Sequence, residues 1–377
     1  MLHMPAPLDD KELEVIGKIE KLKDALRFMT VNQPNRWTGL LRRNMFARAI
    51  HSSNTIEGIH VTADDAIAAA EGDQPLDEKN DSPNWRAVVG YRQAMTYVLQ
   101  RATDPFFSYS TDLIKSLHFM MLEYDLDKFP GKWRPGAIFI KNEQSGKVVY
   151  EGPSGELVNG LMYEYAETLN TPDKEFPPII HAAMAHLNLT LIHPFKDGNG
   201  RMARCLQTLV LARGGTLAPE FSSIEEYLGQ NTPDYYQVLQ TVADGKWRPE
   251  RDTRPWIRFC LMAHHQQAMT LLRRAREMMN LWERVEEIVK SKRLPERVIS
   301  ILVDAAIGHR VRNSSYRKLN GVSDQVASRD LKKITGAGLL IPQGTARGRI
   351  YTASEEIKKI REATRERKEI INPFSTA

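Results

Sequence analysis

The chain has 377 residues, of which 42% are hydrophobic and 26% are charged, the balance of a globular protein with enough apolar residues for a core. No run of 18 or more apolar residues occurs, and the N-terminus lacks the apolar stretch of a secretory signal, so we expect no membrane partner. Cys205 and Cys260 are the two cysteines, too few for a disulfide framework or a thiolate metal site. This composition predicts a cytoplasmic protein.

The net charge of +5 is unevenly distributed along the chain. Residues 281–377 hold 20 Lys and Arg against 12 Asp and Glu, whereas the preceding residues carry a slight acidic excess. A basic C-terminal part indicates a separate module that meets an acidic partner such as nucleic acid, or else a solvated basic surface.

Most of the chain has apolar residues at three- and four-residue spacing, which predicts a mainly α protein. The predicted helices cover residues 11–30, 38–57, 85–101, 111–124, 155–169, 178–192, 201–213, 233–243 and 254–290. The β-prone segments 137–140 and 147–150 flank a turn at residues 142–146, and this pattern predicts a hairpin.

Beyond about Pro295 the order of elements changes. Two helices, Arg312–Leu319 and Val322–Thr335, are predicted on either side of a turn at Asn320 and Gly321. They precede β-prone segments at 338–342 and 348–351 that are joined by a turn at Gln343–Arg347. Helix, turn, helix and hairpin is the order of a winged helix-turn-helix.

This predicted winged helix is strongly basic, with eight Lys and Arg against two Asp in residues 311–350. Its recognition helix would begin at Ser323–Arg329, and Arg347 and Arg349 would lie at the wing. The pattern favours DNA binding through phosphate contacts, with homodimerisation or docking of a target protein as the alternative.

The segment from His193 to Arg204 reads His-Pro-Phe-Lys-Asp-Gly-Asn-Gly-Arg-Met-Ala-Arg. Pro194 ends the preceding helix, and a glycine-rich turn then leads into a new helix whose N–H groups form an anion site. Two arginines three residues apart on that helix can reach the same phosphates. A carboxylate for Mg²⁺ and a histidine base complete the parts of a phosphoryl or nucleotidyl transferase, although a plain helix-loop-helix corner is the alternative.

The same twelve residues match the signature of the Fic family, H-P-F-x-[DE]-G-N-G-R-x-x-R, at every fixed position. The segment Gly131–Arg134 and the predicted hairpin resemble the family's flap, which covers the active site. Residues 231–236 and 254–259 resemble the segment that closes the nucleotide pocket, and the likeness covers roughly residues 40–265.

The resemblance implies a protein adenylyltransferase that transfers AMP from ATP to a Tyr, Thr or Ser hydroxyl of a target protein or of itself. His193 would be the catalytic base, and Asp197 would hold Mg²⁺. The implied ATP-binding residues are Lys196, Gly198, Asn199, Gly200, Arg201, Arg204, Asn231 and Tyr236. Because Gly200 is present, the chain resembles the nucleotidyl-transferring branch rather than members that donate the terminal phosphate.

Residues 52–58 resemble the family's inhibitory motif, [ST]-x-x-x-E-[GN], with Ser53, Glu57 and Gly58 at the fixed places. Glu57 would make a bidentate pair with Arg204 and so displace the γ-phosphate, while Ser53 would position the helix. A capping box formed by Asn54 and Glu57 is the structural alternative.

We therefore expect a Fic-type helical core with a β-hairpin flap and a small C-terminal winged helix-turn-helix domain. The predicted divisions are an N-terminal region with the inhibitory helix at 1–105, the catalytic core at 106–265, a linker helix at 266–295 and the winged helix with its tail at 296–377. The same site could also remove AMP, and a nucleotide-sensing transcriptional regulator is the alternative function. We expect His181 and His186 to make packing or polar contacts and Cys205 to be buried.

Overall fold

The computed structural model of the chain describes residues 1–31, 36–141, 148–215, 221, 223–345 and 348–375. The fold is mainly helical, as the sequence predicts. The helices are α1 (Asp10–Val31), α2 (Arg36–Ile56), α3 (Ala63–Glu71), α4 (Pro83–Arg101), α5 (Thr111–Leu122), α6 (Gly155–Asn170), α7 (Pro178–Ile192), α8 (Asn199–Arg213), α9 (Glu225–Gln230), α10 (Thr232–Ala243), α11 (Arg254–Ser291), α12 (Ile299–Ala306), α13 (Asn313–Asn320), α14 (Asp324–Gly336) and α15 (Glu355–Ala363). The strands are β1 (Phe139–Lys141), β2 (Val148–Glu151), β3 (Gly245–Lys246), β4 (Val311–Arg312), β5 (Leu340–Gln343) and β6 (Ile350–Ala353).

The described chain divides into two compact units. The first comprises residues 1–24, 45–269 and 371–377, and the second comprises residues 25–44 and 270–370. The four domain divisions expected from the sequence stay predictions. None of the helices in the described part of the chain has a stretch sufficiently long and apolar to cross a membrane.

The centre of the first unit is the pair α7 and α8, which pack against each other. Twelve of the fifteen residues of each helix are buried, so both helices are covered on nearly every side. Helix α4 packs against α8 and α5 and encloses the pair further. The loop between α7 and α8 is thereby held between two rigid elements, and it contains residues 193–198.

A small sheet lies in the same unit. Strands β1 and β2 are antiparallel, with Phe139 opposite Glu151 and Ile140 opposite Tyr150. This confirms the strands of the predicted hairpin to within a residue or two, whereas its turn at 142–146 and Lys147 lie outside the described residues. The sheet also contains β3, which pairs in parallel with β2 and was not predicted from the sequence.

The second unit contains the elements predicted after Pro295 in the predicted order. Helices α13 and α14 flank Gly321, whose φ of 63° forms the turn. Strands β5 and β6 then pair antiparallel, each beginning two residues later in the chain than predicted, and β4 pairs with the other edge of β6. The winged-helix assignment stays a prediction, and Arg347 lies outside the described residues.

Candidate active site

Helix α7 ends at Ile192, and His193 follows it with φ 51° and ψ 58°, a left-handed conformation unusual for a residue with a side chain. The next residue, Pro194, cannot continue a helix and also disfavours helix in the residue before it. The sequence therefore ends α7 at the point where His193 projects into the loop.

Arg134 holds this strained corner by hydrogen bonds to backbone oxygens. Its backbone N–H donates to Pro194 O at 2.8 Å, and its Nε donates to His193 O at 2.8 Å. Its Nη2 donates to Pro153 O at 2.6 Å and to Ile192 O at 3.3 Å. A buried cation at the carboxyl end of α7 also meets the negative end of the helix dipole. The sequence placed Arg134 in the flap but gave it no role.

The His193 ring has its tautomer set by a backbone contact. Nδ1 lies 3.3 Å from Thr190 O, and because a carbonyl only accepts, Nδ1 carries the proton and Nε2 is left as a base. Burial, reinforced by the charge of Arg134, lowers the pKa of His193 to about 4. The ring is therefore neutral at pH 7, which is the state that a general base requires.

The loop after His193 is closed on itself by Asn199. Phe195 N donates to Asn199 Oδ1 at 2.9 Å, and Asn199 Nδ2 donates to Phe195 O at 3.0 Å. The side chain of Asn199 thus fixes the loop. The backbone N–H of Asn199 lies at the start of α8, where it can donate to a phosphate.

His118 on α5 is a second residue whose role the sequence did not indicate. Its Nε2 donates to Asp197 O at 2.9 Å, and its Nδ1 accepts from Gly131 N at 2.8 Å. The ring stacks on Phe195 with centroids 3.6 Å apart and planes 6° apart. His118 therefore joins α5, the start of the flap and the loop before α8, and a lone histidine on an apolar helix gives no sequence signal for this.

Asp197 lies between the loop and a basic residue. Its Oδ1 accepts from Gly198 N at 2.5 Å, and its Oδ2 forms an ion pair with Lys128. Burial acts to raise the pKa of Asp197, but the ion pair with Lys128 outweighs it and holds that pKa below its usual value. The described residues contain no group of three or more His, Cys, Asp or Glu side chains that could hold a metal ion. A single carboxylate nevertheless suits Mg²⁺, which commonly binds one or two carboxylates together with substrate phosphates.

Lys196 is a predicted ATP-binding residue, and its contacts in this structure are with the protein itself. Its Nζ donates to Asp127 O at 2.9 Å and lies 4.8 Å from the centre of the Phe129 ring. The contacts of Lys196 are therefore with the short turn of residues 126–129.

Two buried arginines of α8 have donors that no described group satisfies. Arg201 and Arg204 are each 1% exposed. Arg201 Nε and Nη1, and Arg204 Nη1, have no hydrogen-bond partner among the described residues. A buried guanidinium with unsatisfied donors is costly unless an anion completes its bonds. These donors, with the free N–H groups at the start of α8, fit the phosphates of a nucleotide.

The remaining donors of Arg204 bind Ser53 on α2 and Glu57 just after it. Nη2 donates to Glu57 Oε1 at 2.6 Å and to Ser53 O at 2.9 Å, while Nε donates to Ser53 Oγ at 2.7 Å. Burial acts to lower the pKa of Arg204, but the Glu57 carboxylate outweighs it and raises that pKa. The structure brings Ser53, Glu57 and Arg204 together as expected, but Ser53 binds Arg204 directly and takes the place of a bidentate carboxylate.

Gly200 allows Glu57 to approach the start of α8. A Cβ at this position would overlap Glu57 Oε1 and would lie 3.1 Å from Arg204 Nη1. Gly58, with φ 74°, ends the turn that places Glu57 just past α2. The carboxylate of Glu57 therefore lies at the positive end of α8, where an anion is favoured.

Two further predicted ATP-binding residues, Asn231 and Tyr236, lie just before α10 and on it. Asn231 Nδ2 donates to Tyr227 O at 2.8 Å, and the hydroxyl of Tyr236 donates to Ile56 O at 3.3 Å. Tyr236 is 48% exposed. Its hydrogen bond to Ile56 O places it next to the residue that precedes Glu57.

His181, His186 and Cys205, which we expected to be structural, make packing or polar contacts or are buried. His186 bonds Gln207 and Tyr235, and His181 bonds Asp173 O. Cys205 is buried, and burial raises the pKa of its thiol well above the usual value.

Comparison with known proteins agrees with this geometry. Residues 108–211 match the family model described as the Fic/DOC family, a range that includes His118, Arg134 and the loop from His193 to Arg204. A protein adenylyltransferase Fic of Nematostella vectensis is 28% identical over 247 residues, which are 65% of this chain and 53% of that protein. One from Drosophila mojavensis is 26% identical over 257 residues, which are 67% of this chain and 45% of that protein. The chain thus spans about half the length of these relatives.

Solved structures share the fold. A Fic family protein from Desulfovibrio desulfuricans G20 superposes with a TM-score of 0.57 and 20% identity, covering 93% of this chain and 98% of that one. Residues 134–508 of Fic-1 from C. elegans give a TM-score of 0.52 and 20% identity, covering 68% of this chain and 72% of that one.

Proposed function

We propose that this chain is a protein adenylyltransferase that transfers AMP from ATP to a protein hydroxyl, because its residues 108–211 match the model of the Fic/DOC family. The observation that carries this proposal is the neutral His193 ring on the same loop that leads to the unsatisfied donors of Arg201 and Arg204. A base for a hydroxyl and a cradle for phosphates are the two parts that nucleotidyl transfer needs.

In the proposed reaction, His193 Nε2 takes the proton from a Tyr, Thr or Ser hydroxyl of the target. The hydroxyl oxygen attacks the α-phosphorus of ATP in line, the bond to the bridging oxygen of the β-phosphate breaks, and pyrophosphate leaves. The backbone N–H groups of Gly198, Asn199 and Gly200 at the start of α8 bind the phosphate oxygens. The unsatisfied donors of Arg201 bind them as well and balance their negative charge.

Asp197 is the residue that would hold Mg²⁺. The ion supplies charge neutralisation for the phosphates when it is bound. Asp197 itself is kept ionised by Lys128, and its backbone oxygen is fixed by His118. The carboxylate is thus available in the charged state at neutral pH.

Glu57 and Ser53 act as a brake in this proposal. Arg204 cannot give the same Nη2 donor both to Glu57 and to a γ-phosphate, and Glu57 is always present because it belongs to the same chain. ATP that enters the braked site lacks this partner for its terminal phosphate, so its α-phosphorus is not presented to His193.

A second candidate function rests on the basic surface of α14. This helix buries Ala327, Asp330, Leu331 and Ile334 and exposes Arg329, Lys332 and Lys333. A helix with a basic outer face after a helix-turn suits contact with nucleic-acid phosphates. In that case the Fic domain would sense nucleotide for a transcriptional regulator, and the second unit could equally serve for docking or homodimerisation.

Labelled nucleotide separates the candidates. We expect the Glu57→Gly chain, incubated with Mg²⁺ and ATP labelled at the α-phosphate, to label itself or proteins of a lysate. ATP labelled at the γ-phosphate should give no transfer, and Glu57→Gly with His193→Ala should give none with either. Binding of duplex DNA without any transfer of α-label would favour the regulator.

A further inference from the structure

A row of buried side-chain hydrogen bonds leads from Arg204 to a second carboxyl group. Arg204 Nε donates to Ser53 Oγ at 2.7 Å, Ser53 is bonded to Tyr91, and the Tyr91 hydroxyl donates to Glu225 Oε1 at 3.2 Å. The bond with Ser53 acts to lower the pKa of Tyr91, so the Tyr91 oxygen accepts from Ser53, and the Tyr91 hydroxyl donates in turn to Glu225. Glu225 is therefore the final acceptor of the row.

Glu225 is buried without a full set of partners. It is the first residue of α9 and is 1% exposed, and its Oε2 has no hydrogen-bond partner among the described residues. The groups that face it are Tyr91 from α4 and Arg204, Cys205 and Thr208 from α8. Thr208 Oγ1 lies 3.5 Å from Oε1.

Glu225 is the group of this set that titrates near neutrality. Burial raises the pKa of Glu225 to about 7, against the opposing effects of its own backbone N–H and of Arg204. Burial also raises the pKa of Tyr91 and of Cys205 well above their usual values, so both stay protonated. A proton exchanged here near pH 7 therefore belongs to Glu225.

Building on the proposed brake, we propose that Glu225 is a positioning residue for Arg204 and supplies its counter-charge when Glu57 leaves. With Glu57 in place, a carboxylate already balances the guanidinium, and Glu225 keeps its proton up to about pH 7. Once Glu57 moves away, the buried guanidinium has no carboxylate until Glu225 releases that proton to solvent. The row through Tyr91 and Ser53 then keeps Arg204 oriented for the γ-phosphate.

Reciprocity gives the sign of the pH effect. If departure of Glu57 lowers the pKa of Glu225, then loss of the Glu225 proton favours departure of Glu57. In nucleotide-free protein the brake should open more readily as the pH rises toward about 7, with no further gain above that value. Titration of His193 does not contribute to this effect, because its pKa of about 4 lies well below this pH range.

Infrared difference spectroscopy on the nucleotide-free full chain tests the proton directly. We expect a protonated-carboxyl band that is absent in Glu225→Gln, retained in Glu226→Gln, and titrates near pH 7 in the parent. In Glu57→Gln, which removes the charge but keeps the shape, the midpoint should fall to lower pH. Glu226 is a suitable control because it is also buried but contacts Gln230, Gln267 and Arg48 rather than the row. The same midpoint in the parent and in Glu57→Gln, or no band assigned to Glu225, would overturn the proposal.

Binding of a non-hydrolysable ATP analogue tests the positioning. In the Glu57→Gly background, Tyr91→Phe should weaken binding about tenfold, since it breaks the row to a charged group. Tyr165→Phe is the control, because its buried hydroxyl donates to Ala185 O away from this row. Unchanged affinity in the Tyr91 variant contradicts the inference. Neither measurement requires AMP transfer, so a chain that binds the analogue but transfers nothing would refute the proposed function and leave this inference standing.

Discussion

Arg204 Nη2 lies 2.6 Å from Glu57 Oε1, although the two residues are 147 positions apart in the chain. The contact is made with Arg204 1% exposed, so this carboxylate is the main counter-charge of a cation that solvent does not reach. The same guanidinium keeps Nη1 without a partner among the described residues, and Arg201, three residues earlier on α8, also has unsatisfied donors. Arg204 is thus both a part of the phosphate site and the residue that Glu57 occupies.

Ser53→Ala should destabilise the fold, because Arg204 Nε would lose its acceptor in a site from which water is excluded. We expect the free energy of unfolding to fall by about 1–3 kcal/mol, measured by chemical denaturation. Thr55→Ala on the same helix is the control, since Thr55 Oγ1 only donates to His51 O, within its own helix. An equal effect of the two changes would show that Ser53 has no special part in holding Arg204.

Arg134→Lys should disturb His193 without removing it. A lysine cannot reproduce the set of bonds from the guanidinium to the oxygens of His193, Ile192 and Pro153. In the Glu57→Gly background we expect kcat to fall about 10²-fold while affinity for the ATP analogue is kept. Lys132→Ala, which removes an exposed charge two residues earlier, should leave kcat unchanged. A kcat for the Arg134 variant equal to that of its background would argue against a positioning role.

The pH dependence of transfer follows from the lowered pKa of His193. A base must be unprotonated to act, and a pKa of about 4 keeps the ring neutral from pH 6 to 8. With ATP and target both saturating, kcat of the Glu57→Gly protein should be nearly constant over this range and should decline only as the pH approaches 4. Half-loss of kcat near pH 6.5, the usual histidine value, would show that burial does not control this ring.

Asp197→Asn should remove the response to Mg²⁺. The amide lacks the negative charge that holds a divalent cation, so Mg²⁺ should no longer strengthen binding of the ATP analogue, as followed by calorimetry. Asp127→Asn removes an exposed carboxylate nearby and should retain the full Mg²⁺ effect. Retention of that effect in the Asp197 variant would assign the metal to other groups.

The sequence predicted the parts of the site that are contiguous in the chain. Pro194 and the glycines define where α7 stops and α8 starts, so the places of His193 and Arg204 follow from local chemistry. The resemblance supplied the contact of Glu57 with Arg204, which no local rule gives. The sequence did not reveal the bonds of His118, Arg134 and Lys128, because these residues reach the loop through tertiary packing.

Local signals were also missed in the fold. Helix α3 has an N-cap at Thr62 and a C-cap at Gly72, but its run of alanines gives a weak apolar period. Helix α9 has six residues, too few for any period to be recognised, and it carries Glu225. Strand β3 has two residues and depends on its parallel partner β2, so only the folded chain defines it.

The brake is the central claim, and one comparison tests it most directly. The parent chain and Glu57→Gly are incubated with Mg²⁺ and α-labelled ATP under identical conditions, and the initial rate of self-labelling is measured. We predict a rate for Glu57→Gly at least about tenfold above the parent, since the freed Nη2 gains a charge-assisted bond to the γ-phosphate. We also predict loss of that gain when Arg204→Ala is added. Equal rates for the parent and Glu57→Gly, with both proteins folded, would contradict the account.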